Sequence, residues 1–223
     1  MRLDWPACAN VRDLGGLPTP GGPTAAGVLI RADDLTLLTA AGVAALRTAG
    51  VGRILDLRRF AEIERAPGPF AGEPIYHHVP MIEEVLSYEP PADTYGPMLD
   101  LNRDRIARAF RALAEAPKGA VVVHCFGGKD RTGVLAALAL AVAGVARAAI
   151  VADYALTAGT DPVAMRNTLA HLDARYGGAA SYLAGIGISP PELASVRARL
   201  VPGGRPTSPR SGRTARPAAP PAR

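Results

Sequence analysis

Apolar residues gather in short runs through the first 124 positions and in longer, helically spaced stretches between and after them. The runs "GVLIRA" (27–32), "GRILDL" (52–57), "PIYHHV" (74–79) and "GAVVVH" (119–124) have strand length, and glycine or proline opens each; that punctuation predicts β-strands. Between them, Val43, Leu46 and Ala49 share one face of 39–49, and Ile106, Phe110 and Leu113 share one face of 103–116. This spacing predicts helices packed on one side. The stretch 132–143 is apolar nearly all round, which predicts a helix buried on every side. Two later helix starts are marked by Asp161 before Pro162 and by Ser189 with Glu192 at capping-box spacing, both of which satisfy free N–H groups of a first turn. Strands alternating with helices predict an α/β fold, with a central, mostly parallel sheet flanked by helices and a helical C-terminal half. No repeat of fixed period is present.

Composition narrows this picture. A chain of 223 residues at 48% hydrophobic content can bury one sizeable core without staples. We therefore expect one domain over 1–203, followed by an Arg- and Pro-rich tail over 204–223 that cannot repay ordering entropy and is expected to be disordered. The tail also explains the net charge of +5: it holds five of the 25 basic residues and no acid, leaving 20 bases against 20 acids elsewhere. The neutral body argues against a nucleic-acid partner. The N-terminus has charge and proline where a signal peptide has an apolar core, and the apolar run 134–145 is too short to span a bilayer. No stable membrane insertion is expected; the cytoplasm is the default compartment, with leaderless export left open. Oligomeric state is not legible. Cys8 and Cys125 are far apart and belong to no metal-spaced cluster, so neither a disulfide framework nor a zinc site is expected. Cys8 reads as a small surface or semi-buried thiol. His77 and His78 are adjacent on a strand and point to opposite faces, which speaks against a joint metal site.

The chemistry concentrates in "VVVHCFGGKDRTG" (121–133). Here a buried strand ends, a turn carries two glycines and three charges, and an apolar helix begins, the place where open α/β sheets put their sites. Gly127 and Gly128 let backbone N–H groups turn inward, making an anion nest at a helix N-terminus. A nucleotide loop would need Ser or Thr directly after its lysine, whereas Asp130 follows Lys129. What remains is Cys-x5-Arg. N–H dipoles, Lys129 and Arg131 favour Cys125 as a thiolate, and the planar fork of Arg131 suits two phosphoryl oxygens. The thiolate then attacks phosphorus while the loop stabilises the equatorial oxygens, and water hydrolyses the thiophosphate. Neither metal nor cofactor is required. Thr132 is placed to donate to the thiolate or to cap the helix. Phe126, Gly127, Gly128, Lys129 and Gly133 are the expected substrate-binding residues.

"HCFGGKDRTG" resembles the signature loop of a bacterial and fungal group of cysteine-dependent tyrosine phosphatases. "NVRDLGG" (10–16), the strand, helix and Asp-Leu-Arg strand of 29–58, "AIVADYALT" (149–157) and "YGGAASYL" (176–183) are similar to further elements of that group, so the resemblance covers most of 10–200. It implies a tyrosine-phosphatase fold and a protein-tyrosine-phosphatase activity, acting on phosphotyrosine with phosphoserine and phosphothreonine also open. It also implies Asp130 as general acid; in tyrosine phosphatases at large, that acid sits on a mobile loop, which would here point to Asp93 or Asp100 in "EPPADTYGPMLD" (89–100). The group usually has alanine in place of Gly127. The short segment between "DYALT" and "YGGAASYL" suggests a more open cleft than in relatives with additional helices there.

Alternatives stay open. Lys129 is also a feature of phosphoinositide phosphatases, whose loops meet additional ring phosphates. A phosphate-binding pseudophosphatase would keep the pocket without turnover, and a rhodanese-type sulfurtransferase does not require the Arg131-Thr132-Gly133 ending. Asp56 and Arg58 read equally as cleft rim or structural ion pair, Arg12 with Asp13 as a latch for the N-terminal segment, and His124 as a support for the loop backbone rather than a base.

Overall fold

The computed structural model describes residues 1–203; the expected tail lies outside the described residues. Strands β1 (Arg12–Asp13), β2 (Leu29–Ala32), β3 (Val51–Asp56), β4 (Tyr76–His78) and β5 (Ala120–His124) form one sheet in the order β1-β2-β5-β3-β4. All neighbours run parallel except β1, which is antiparallel to β2. The expected α/β architecture is therefore present. Helices are α1 (Ala40–Thr48), α2 (Phe60–Arg65), α3 (Gly96–Leu101), α4 (Arg103–Ala114), α5 (Asp130–Ala143), α6 (Arg147–Ala155), α7 (Pro162–Tyr176), α8 (Ala179–Gly185) and α9 (Pro190–Leu200). From Asp130 onward the described chain is helical, as the sequence pattern predicts.

β5 sits at the centre because both of its faces are covered. Val121, Val123 and Cys125 join the larger core with α4, α5 and α9 residues, whereas Ala120 and Val122 join a second core with Trp5, Ile30, Leu46 and Phe70. A strand buried on both faces has no polar face to alternate, hence the unbroken "AVVV". The same logic holds for α5, which is buried all round between the sheet, α4, α6, α8 and α9. Thr39 caps α1 by accepting from Gly42 N, Asp161 caps α7 through Val163 N, and Ser189 with Glu192 completes a capping box on α9.

Three local expectations need correction. Helix α5 begins at Asp130, two residues before the apolar stretch, because Asp130 and Arg131 sit in the first turn, where polar side chains reach out to the site. Thr132 is the third residue of α5 and makes no cap; the N-cap is Lys129, without a side-chain bond. Finally, the Pro-rich stretch 89–100 is not wholly loop: Gly96–Leu101 forms α3 with Pro97 at its start, where its missing N–H costs nothing.

Candidate active site

The strand-to-helix junction places Cys125 directly after β5, 1% exposed, with Phe126 standing 64% exposed on the rim. Among the described residues, no backbone N–H from Phe126 to Asp130 donates to a protein acceptor. That leaves a run of free donors at the N-terminus of a 14-residue helix, the arrangement that holds a phosphate. Gly128 has φ +63°, and an added Cβ would lie 2.6 Å from the Ala32 carbonyl oxygen; only glycine fits. At Gly127 a Cβ would meet only the Lys129 chain, at 3.6 Å, an ordinary contact. Alanine, usual in the resembled group, is therefore sterically acceptable there. At Gly133 a Cβ would press on the Tyr154 ring at 3.0 Å.

A buried ionic network supports the loop from behind. Arg31 donates through Nη2 to the Gly128 carbonyl (2.8 Å) and through Nη1 to Asp153 Oδ2 (3.1 Å). Arg12 holds Asp153 Oδ1 from the other side at 3.1 Å and also donates to the Asp153 carbonyl and Thr157. Asn10 accepts from Arg12 and turns its own amide N–H groups toward the Gly127 and Gly128 carbonyls, at 3.5 and 3.4 Å. With the carbonyls held from outside, the loop presents its N–H groups inward. Arg12 thus latches more than the N-terminal segment, while Asp13 accepts from Gly15 N and Gly27 N and pins the neighbouring turns.

Arg131 is positioned by a residue that sequence reasoning missed. Glu62 on α2 accepts from its Nη1 at 2.6 Å and its Nη2 at 3.0 Å. This bidentate pair fixes the guanidinium plane and leaves three of its five donors for phosphoryl oxygens. Burial works against the Glu62 carboxylate, but the hydrogen bonds from Arg131 and the Arg59 backbone outweigh it and hold it down at about 2. In the sequence, Glu62 resembles an ordinary helix cap, which it also is: its Oε2 accepts from Arg59 N at 2.7 Å.

Asp130 opens toward solvent at the mouth of the loop. Tyr95 donates to its Oδ1 at 2.5 Å, and the Tyr95 hydroxyl lies 2.6 Å from that of Tyr154. A cavity of about 270 Å³ adjoins this cluster, lined by Ile82, Leu86, Tyr88, Pro90, Tyr95 and Met98 among others, with Asp130 and Arg131 on one wall. The alternative acids are placed differently. Asp100 is engaged by His171 at 2.9 Å and Tyr176 at 2.5 Å between α3 and α7, and Asp93 is exposed, outside the cavity wall.

The remaining residues divide clearly. Thr132 Oγ1 is buried without a hydrogen-bond partner among the described residues. Lys129 reaches toward the Gly159 carbonyl at 3.4 Å. Asp56 and Arg58 form a structural pair: Arg58 is 1% exposed, bonded to both Asp56 oxygens, to Asp34 and to the Ala66 carbonyl. His124 is buried at the end of β5, next to Cys125. Burial pushes its pKa down, Nε2 is 3.5 Å from Asp56 and Nδ1 has no partner among the described residues. His77 and His78 bond separately, to Arg53 and to the Arg58 carbonyl, and no three His, Cys, Asp or Glu side chains among the described residues are grouped to hold a metal. Cys8 donates to Asp33 at 2.5 Å, and burial, with the Asp33 carboxylate, pushes its thiol pKa up. No helix among the described residues is long and apolar enough to cross a membrane.

Comparison with known proteins finds phosphatases. The chain is 28% identical over 219 residues to a tyrosine-protein phosphatase of Nostoc commune, covering 78% of this chain and 74% of that protein. It is 29% identical over 188 residues to the triple specificity protein phosphatase PtpB of Mycobacterium tuberculosis, covering 68% of this chain and 67% of that protein. Residues 3–164, from ahead of the Asn10 segment to the start of α7, match the model of the tyrosine phosphatase family, and it is to this family that the chain belongs.

Proposed function

We propose that the chain hydrolyses phosphotyrosine through a cysteinyl-phosphate on Cys125, with Asp130 as general acid and then base. The observation that carries this reading is the mostly apolar cavity beside the loop, which has Asp130 and Arg131 on its wall. A phenyl ring seated there would bring its phosphate to the free N–H groups and its ester oxygen to Asp130. In the first step the Cys125 sulfur attacks phosphorus, the P–O bond breaks, and Asp130 gives its proton to the departing phenolic oxygen. In the second, water attacks the thiophosphate, Asp130 takes the water proton, and sulfur recovers its electron pair. Arg131 and the loop amides offset the charge on the equatorial oxygens throughout.

The phosphoinositide alternative is less well supported. A polyphosphorylated ring calls for several cations, yet among the described residues the cavity offers Arg131 alone and Lys129 is directed to Gly159. The Mycobacterium tuberculosis relative is named for triple specificity, so phosphoserine and phosphothreonine peptides belong in the test. The experiment is a panel of phosphotyrosine, phosphoserine, phosphothreonine and phosphoinositide substrates, with Asp130→Asn run on aryl phosphates of graded leaving group. We expect phosphotyrosine to lead, and the loss in Asp130→Asn, about 10²- to 10⁴-fold for phosphotyrosine, to shrink for strongly acidic phenols. A uniform loss in Asp130→Asn, with graded losses in Asp93→Asn or Asp100→Asn, would move the acid elsewhere. Faster turnover of phosphoinositide would overturn the substrate assignment.

A further inference from the structure

We infer that Tyr95 is the positioning residue for the general acid, with Tyr154 as the donor behind it; the inference rests on the assignment of Asp130 as that acid. Three oxygens form a chain: Tyr154 hydroxyl to Tyr95 hydroxyl at 2.6 Å, and Tyr95 hydroxyl to Asp130 Oδ1 at 2.5 Å. Each phenol has a single proton. Tyr95 gives its own to the carboxylate, so the proton between the two phenols must come from Tyr154. While Asp130 is ionised the direction of the chain is thereby fixed, and each bond polarises the next.

The two tyrosines come from separate parts of the fold, so their meeting at Asp130 is a tertiary construction. Tyr95 lies just before α3, its backbone N–H held by Thr168 Oγ1 of α7 at 2.8 Å. Tyr154 lies on α6, beside Asp153, and its ring lies edge-to-face against Tyr95 at 6.2 Å. Burial, followed by the Asp130 hydrogen bond, raises the Tyr95 phenol far above its ordinary range. Tyr95 therefore remains a donor at any working pH.

This has two consequences for the reaction. With Oδ1 occupied by a donor, the proton of the acid form resides on Oδ2, the oxygen left for the leaving group. Proton transfer then converts Asp130 to a carboxylate, and the Tyr95 bond becomes charge-assisted. An interaction that strengthens as the transition state is approached accelerates the step. The mostly apolar segment that lines the cavity also carries Tyr95, so a ring seated there would lie against the residue that orients the acid.

The test uses Tyr95→Phe, Tyr154→Phe and Asp130→Asn in the full chain, singly and combined, on a phosphotyrosine peptide and a graded series of aryl phosphates. Tyr95→Phe keeps the ring and should lower kcat on phosphotyrosine about 10- to 100-fold, the range for a hydrogen bond to a charged group. KM should stay within about twofold because the phosphate nest is untouched. The loss should fade as the phenol becomes more acidic, and adding Tyr95→Phe to Asp130→Asn should cost nothing more. Tyr154→Phe should follow the same pattern at about 2- to 10-fold, as for a neutral hydrogen bond. A loss in Tyr95→Phe that is equal for every leaving group, while Asp130→Asn remains graded, would overturn the positioning role alone. An ungraded Asp130→Asn would instead remove the acid assignment and the inference with it.

Discussion

Asp153 neutralises two buried arginines at once, and replacing it by asparagine tests whether that network builds the loop. Its carboxylate is 3.1 Å from Arg12 Nε and 3.1 Å from Arg31 Nη1, with side chains 7%, 1% and 8% exposed for Arg12, Arg31 and Asp153. Asparagine keeps the shape but removes the charge, leaving two guanidiniums buried together. Removing one partner of a buried pair costs about 3–5 kcal/mol. At about 1.4 kcal/mol per tenfold, the lower figure is roughly a 150-fold fall in the folding constant. A domain with about 5–15 kcal/mol of stability remains mostly folded after that loss. Urea denaturation should therefore show the deficit while activity can still be measured. Arg31 would then hold the Gly128 carbonyl less firmly, and kcat/KM should fall by about tenfold, the worth of one hydrogen bond. Arg12→Gln should cost less stability, because Asp153 would still neutralise Arg31. Asp153→Asn within about 1 kcal/mol of the parent, or Arg12→Gln costing more than Asp153→Asn, would refute the reasoning.

Glu62, held at about 2 in the folded chain against an ordinary value of about 4.3, contributes stability that is complete above its unfolded pKa and is lost as pH falls toward 2. The urea midpoints of the parent and Glu62→Gln should therefore differ at pH 7, draw together as pH falls below about 4.3 and converge only below about pH 2; a gap independent of pH would contradict the ion pair with Arg131. The two loop glycines should separate: Gly127→Ala should stay near the parent in kcat/KM, since the added methyl meets only the Lys129 chain. Gly128→Ala should lose most activity and about 1–3 kcal/mol of stability, because the methyl would sit 2.6 Å from the Ala32 oxygen at φ +63°. Similar behaviour of the two alanine variants, in steady-state rate and denaturation midpoint, would count against this loop geometry.

Much of the fold was legible because its signals are local. Four strands, the caps at Asp161 and Ser189, and the buried helix after the loop follow from period, punctuation and capping chemistry. β1 was missed because a two-residue strand has no period to detect. Helix α2 was missed because "FAEIER" is six residues long with nothing buried, so it carries no apolar stripe. In the candidate site, Cys125, Asp130 and Arg131 could be proposed from the sequence because they lie within one short loop. Glu62, Asn10, Arg31, Asp153, Tyr95 and Tyr154 were not identified as supports, because their partners lie 35 to 141 positions away. Each also has an innocent local reading: Glu62 as a cap, Arg31 as the polar end of a strand, Tyr95 as one aromatic in a Pro-rich stretch.

The central claim is that Cys125 carries the phosphoryl group during turnover. Rapid acid quench of the enzyme during hydrolysis of an aryl phosphate, followed by mass spectrometry of its peptides, tests it directly. The account predicts one phosphoryl group on the peptide containing Cys125, formed within the first turnover and decaying as substrate is exhausted, and none in Cys125→Ser, which should also be inactive. Phosphate release by Cys125→Ser at a rate comparable to the parent, or a transient phosphoryl group on another residue, would contradict it.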